Sequence, residues 1–124
     1  MTEQLADAAL IVARLMMGSL FIVGGLRHFW ALGPIAGAMT ARGVPQAKAV
    51  LIAGSIYQVA LGITLALGLF VPYSALGLIV FTATATIMLV NFWDKAEPER
   101  SALFGVFMSN IAIAGGLLGL VAIA

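Results

Sequence analysis

The sequence predicts an all-α fold: a four-helix transmembrane bundle with a short interfacial helix between helices 1 and 2. Two observations carry that reading. The first is composition, since 63% of the 124 residues are hydrophobic and only 9% charged, with a mean hydropathy of +1.14. A soluble domain carries about 25% charged residues, so this chain lacks the polar surface to cover a water-exposed globule. The second is segmentation. Four apolar stretches of about 20 residues, each long enough at ~1.5 Å per residue to cross a ~30 Å hydrocarbon layer, are separated by short polar or Pro/Gly-rich breaks. Residues 1–124 read as a single domain.

The first span covers about residues 5–26, with Glu3 and Asp7 at its start and Arg14 inside it. It closes on Arg27-His28-Phe29-Trp30, the pattern of a helix reaching the headgroup layer, where aromatic rings collect and basic side chains extend to water. Residues 31–46 are mixed and punctuated by Pro34, Gly37, Arg42, Gly43 and Pro45. Residues 34–42 can form two turns of helix in the interface, too short to cross, before Gly43-Val44-Pro45 breaks it. The second span covers about 47–69. Phe70-Val71-Pro72 links it to the third, with Pro72 suited to a first helical position. The third span, about 72–93, carries Thr82, Thr84, Thr86 and Asn91, and residues 94–100 form the clearly aqueous loop. The fourth covers about 101–122. The N-terminus lacks a basic leader, and the run after it is long enough to span, so no cleavable signal peptide is expected.

Basic residues set the expected orientation. Arg27, Arg42 and Lys48 follow span one, and Lys95 and Arg100 follow span three. The positive-inside rule then places loops 1 and 3 in the cytoplasm and both termini outside, in a multi-pass protein of the inner (cytoplasmic) membrane. Small residues at Gly54 and Gly62, and the Ala112/Gly116 and Gly115/Gly119 spacings, permit close helix approach.

Composition also excludes functions. A net charge of +1 gives no reason to expect nucleic acid. The absence of cysteine removes disulfides and thiolate-held iron–sulfur clusters. One histidine supplies neither a bis-histidine haem nor a multi-histidine metal centre from this chain alone.

Several residues could carry chemistry. Arg14 is the costliest, at about 2.5–3.5 kcal/mol for a mid-helix arginine, so it faces the bundle, snorkels, or pairs with Asp7 on its own face. Arg14, Gly18, Phe21, Gly25 and His28 step by four and three residues and share one helix face. His28 lies 14 residues, about 21 Å, from Arg14, so the two cannot touch one small head group. His28 is either a proton-handling group or a plain interfacial histidine. Tyr57 and Gln58 fall mid-span in helix 2 and Asn110 lies inside the last span; each reads as interhelical glue or as a ligand contact. Trp30, Asn91 and Trp93, with Arg27, His28 and Asp94, are expected at one height. That rim suits a polar aromatic head group such as a quinone, and equally suits anchoring. His28-Phe29-Trp30 and Asn91-Phe92-Trp93 echo each other, as a duplicated helix pair or by coincidence.

Ala13-Arg14-Leu15 with Gly18, then Phe21 and Gly25 leading to a basic residue, resembles the DoxX family of small four-helix membrane proteins. So do Gly43-Val44-Pro45 before the second span, Gly62 followed by Leu67-Gly68-Leu69, and Asn110 with Gly115-Gly116-Leu117. The resemblance implies the four-helix fold and an association with membrane redox systems, including a quinone-linked thiosulfate oxidoreductase. Where that family often carries a glutamate in its second helix, this chain has Gln58, which removes a titratable carboxylate.

Two functions follow. One is a small membrane subunit that binds quinone or anchors an oxidoreductase partner, with Arg14, His28 and Gln58 orienting the head group and Trp30 and Trp93 framing its entrance. The other is a non-enzymatic assembly protein acting as a homo-oligomer or docking another membrane subunit. A small-solute transporter ranks behind both, since four helices leave little room for a path without oligomerisation. Membrane lipid is a partner in every case, and catalysis would come from the partner or the quinone rather than from this chain alone.

Overall fold

The computed structural model describes residues 2–123. These form α1 (Glu3–His28), α2 (Leu32–Ala41), α3 (Ala47–Leu67), α4 (Val71–Leu89), a 3₁₀ turn (Phe92–Asp94) and α5 (Glu99–Ala122), with no strand among the described residues. Four helices are long and apolar enough to cross a membrane, and α2 is the short apolar helix between the first two.

Helix ends depart from the sequence boundaries by a few residues, for identifiable reasons. α1 begins two residues early because the Thr2 hydroxyl caps it, accepting from the Leu5 N–H at 3.2 Å. Glu3 in its first turn and Arg27 and His28 in its last suit the helix dipole. α3 stops at Leu67 rather than residue 69. Gly68 adopts φ +76°, and the Leu69 N–H reaches back to the Thr64 carbonyl at 2.8 Å, closing a Schellman-type cap. α4 shows the largest departure, ending at Leu89 rather than near 93. The Asn91 amide donates to the Ile87 carbonyl at 2.5 Å, competing with continuation of the helix. The Phe92 ring then meets Phe104 and Phe107 of α5 edge-on at 5.1 and 5.2 Å, and these contacts hold the 3₁₀ turn against α5.

Each span packs on the next in the chain: α1 on α3, α3 on α4, α4 on α5, and α5 back on α1. The ring closes over an apolar centre of Phe21, Leu65, Ala75, Leu78, Leu117 and Leu120. A second cluster, Met39, Ala47 and Leu51 with Ile35, Val44 and Met88, fastens α2 across α3 and α4. Large apolar side chains such as Leu15, Val80, Ile87 and Leu118 point outward, as expected for surfaces facing acyl chains.

The seam between α1 and α3 is the tightest in the bundle. A Cβ on Gly18 would lie 2.6 Å from the Gly62 carbonyl oxygen, and one on Gly25 would lie 2.5 Å from Val59 Cγ2. Gly62 thus plays the close-packing part expected of it, whereas Gly54 has only an ordinary 3.6 Å neighbour in Phe81. In α5 the expected stripe divides. Gly116 faces the flexible end of Met17, while Gly115 and Gly119 have open space before them.

Loops 1 and 3 meet at one end of the bundle. Arg42, just after α2, donates to the Asp94 carboxylate at 2.7 Å. The guanidinium holds the Asp94 carboxyl below the usual carboxylate range, so the pair stays ionised into mildly acidic solution.

Candidate functional site

Between α1, α3, α4 and α5 lies a partly open cavity of about 370 Å³, with Ile35 and Met39 of α2 lining it as well. That volume falls in the ~300–1,000 Å³ range of small-molecule sites. Leu20, Phe21, Leu51, Phe81 and Ile113 make most of its wall apolar. Its polar lining comes from six residues: His28, Ser55, Gln58, Thr82, Thr84 and Asn110.

The α1 face explains how the first of these arrives. Gly18, Phe21 and Gly25 are buried against α3, and the same helical step brings His28 beside α3, where its Nδ1 lies 2.9 Å from Ser55 Oγ. Three residues on, one turn deeper, Gln58 is buried with 5% exposure and donates from Nε2 to the Phe21 carbonyl at 3.0 Å. Because a carbonyl can only accept, that bond fixes which end of the amide is nitrogen. The other end, Oε1, is buried and has no partner.

On α4 the Thr86 hydroxyl donates to the Thr82 carbonyl at 2.6 Å, and Thr84 donates to the Val80 carbonyl at 2.8 Å. With its hydrogen committed, Thr86 Oγ1 accepts from Asn110 Nδ2 at 2.8 Å, which ties α5 to α4. Asn110 is therefore interhelical glue and cavity lining at once. The Thr82 hydroxyl, in contrast, is buried without a partner. Among the described residues, four buried side-chain polar atoms lack partners, and two of them belong to residues lining this one cavity. Buried polar atoms are ordinarily satisfied, so this concentration is informative.

The structure brings together His28, Gln58 and Asn110 and separates the other expected site residues from them. The Tyr57 hydroxyl donates to the Gly77 carbonyl at 2.9 Å and its ring stacks with Phe81, joining α3 to α4 outside the cavity lining. Trp30 is 83% and Trp93 54% exposed, so they point away from the bundle instead of framing the cavity. Asn91 ends α4 and keeps a buried Oδ1 without a partner, also outside the cavity lining.

Arg14 is absent from the cavity lining. It makes no ion pair with Asp7 among the described residues. Its guanidinium packs on Gly68, 3.1 Å from where a Cβ would stand, at the C-terminal cap of α3. A cation there meets the negative end of the α3 dipole, although its buried Nε has no hydrogen-bond partner among the described residues. That is a tertiary reason for an arginine inside an apolar span. Its neighbour Gly68 lies on another helix far along the sequence, and nothing local marks the two as a pair.

Ser55, Thr82 and Thr84 are the polar lining residues that sequence reasoning did not single out as site candidates. Ser55 lies three residues before Gln58 on the same helix face, a usable signal. Thr82 was one of a threonine series with nothing to set it apart.

The DoxX family pattern matches residues 9–91, more than half of the chain. No curated protein and no solved structure gives a match. The matched stretch runs through α1, α2, α3 and α4 and contains all of the cavity lining except Asn110 and Ile113 of α5. On that match, and with four apolar helices and a short helix after the first, the chain belongs to the DoxX family.

Proposed function

We propose that this protein is a redox-linked membrane subunit that holds the ring of a quinone-type amphiphile between α1, α3 and α4. The observation that carries the reading is the cavity: apolar walls, a volume of about 370 Å³, and His28, Gln58 and Thr82 among the few polar residues that line it. Apolar pockets with a few placed polar groups are the usual form of small-molecule sites. A flat ring with two oxygens has the chemistry to meet those groups, and its isoprenoid tail would lie along helix faces already suited to acyl chains.

When bound, a quinone would supply the electron and proton transfer; this chain's residues would bind and orient it. His28, in the last turn of α1 and hydrogen-bonded to Ser55, is placed to exchange a proton with the loop end of the bundle. The electrons would come from a membrane-associated oxidoreductase docked at that end. We place it on the cytoplasmic side of the inner membrane, because Arg27, Arg42, Lys48, Lys95 and Arg100 all lie near it.

The test is extraction and quantification of quinone from protein purified out of its own membrane in lipid nanodiscs. About one quinone per chain supports the reading, and quinone at no more than the bulk lipid ratio refutes it. A second reading, an assembly protein, draws on the uncovered Gly115 and Gly119 of α5. It predicts that Gly115→Leu and Gly119→Leu disperse a complex while leaving bound quinone unaffected.

A further inference from the structure

We infer that the Arg14 guanidinium is a binding site for the phosphate of a membrane phospholipid, in the leaflet away from loops 1 and 3. The inference is independent of the quinone reading, because Arg14 lies outside the cavity lining.

An arginine inside an apolar span needs acceptors, and acyl chains supply none. The protein itself supplies little. The Arg14 side chain is half-buried against Gly68, where the negative end of α3 steadies the cation without offering a carboxylate. Its Nε is enclosed without a partner. Nη1 and Nη2 donate to none of the described residues and are not enclosed, so the remaining N–H donors of the guanidinium stand at the bundle surface. Glu3 and Asp7 are the acidic residues at this end, and both are exposed. Asp7 shares the Arg14 face but lies about 10 Å farther along the axis, and no ion pair joins the two. All the other lysines and arginines follow span one or span three, toward the opposite end.

The turn between α3 and α4 sets the depth of this cation. Gly68 opens that turn, and α4 then starts at Val71 with no side-chain cap. The first N–H groups of α4 need partners that hydrocarbon cannot give, which assigns the turn to the headgroup layer. Phe70 and Tyr73 are 72% and 75% exposed there, as aromatic side chains at a membrane interface are. The open edge of Arg14 is therefore held at the level of the lipid phosphates. A guanidinium fork matches two phosphate oxygens, and basic recesses between membrane helices take lipid head groups. A phosphodiester there supplies both the acceptors and the negative charge that Arg14 lacks.

Titration of the intact protein in mild detergent, read by native mass spectrometry, tests this with three probes. They are phosphatidylglycerol, a diacylglycerol with the same chains, and soluble glycerol phosphate. Phosphatidylglycerol is expected to bind about tenfold tighter than diacylglycerol, the low end for a hydrogen bond to a charged group. Arg14→Met should erase that difference, whereas Arg27→Met, which removes an exposed cation at the opposite end, should keep it. Should Arg14→Met fail to fold, Arg14→Lys retains the charge without the planar fork and is expected to narrow the difference. Equal binding of phosphatidylglycerol and diacylglycerol overturns the inference. So does a difference that survives unchanged in the Arg14 variant, or one that is lost in Arg27→Met. Glycerol phosphate binding as tightly as phosphatidylglycerol would assign the site to a free phosphate and overturn the lipid.

Discussion

Gly18→Ala should separate α1 from α3, and the structure sets the size of the effect. The added Cβ would lie 2.6 Å from the Gly62 carbonyl oxygen and 2.8 Å from Ala66 Cβ. Neither neighbour is the end of a flexible side chain, so α1 must move. Overpacking of this kind costs about 1–3 kcal/mol, partly masked by a gain of about 1 kcal/mol for replacing glycine in a helix. Gly119→Ala makes the same propensity change on α5 where nothing lies within 4 Å. The difference between the two variants therefore isolates the clash, about 1–3 kcal/mol. Reversible unfolding in mixed detergent micelles, followed by circular dichroism, measures it. The same displacement lengthens the His28–Ser55 and Gln58–Phe21 bonds, which both cross this seam. Gly18→Ala should therefore also weaken ring binding, and Gly119→Ala should not. Equal stability of the two variants would refute the close crossing of α1 and α3.

Two further substitutions probe the parts around the cavity. Arg42→Ala breaks a largely exposed ion pair, so global stability should change little. Amide exchange in residues 32–41 should nonetheless accelerate, because α2 loses its tie to Asp94; unchanged exchange there would mean that the pair does not hold α2 down. Arg14→Met removes a charge that packs on Gly68 and lies outside the cavity lining. Ring binding should stay within twofold of the parent, whereas amides at the C-terminal end of α3 should exchange faster; a large loss of binding would mean that Arg14 reaches the ligand.

Much of the fold was legible because the membrane imposes it. Spans of about 20 apolar residues have one stable form in a bilayer, and Gly43, at positive φ, marks a real helix end. The α1 face was legible from its step of three and four: Gly18, Phe21 and Gly25 are buried, and His28 sits against Ser55. Asn110 as a tie between helices also followed from an amide at depth, and Thr86 is its partner.

What could not be read depends on contacts between distant segments. The early end of α4 comes from Asn91 turning back to Ile87 while Phe92 finds two rings on α5. The seat of Arg14 depends on Gly68, 54 positions away in the sequence. Trp30 and Trp93 were expected to frame an entrance because aromatic residues gather at interfaces, yet that tendency does not say whether a ring faces lipid or cavity, and here both face outward.

The most direct test of the central claim is photolabelling of the protein in nanodiscs with an azido-substituted quinone, followed by peptide mapping. The account predicts label on residues 20–28 of α1 and 50–58 of α3, competed away by unlabelled short-chain quinone. Label confined to the outward surfaces around Trp30, Trp93 and α5, or label that no competitor displaces, would contradict it.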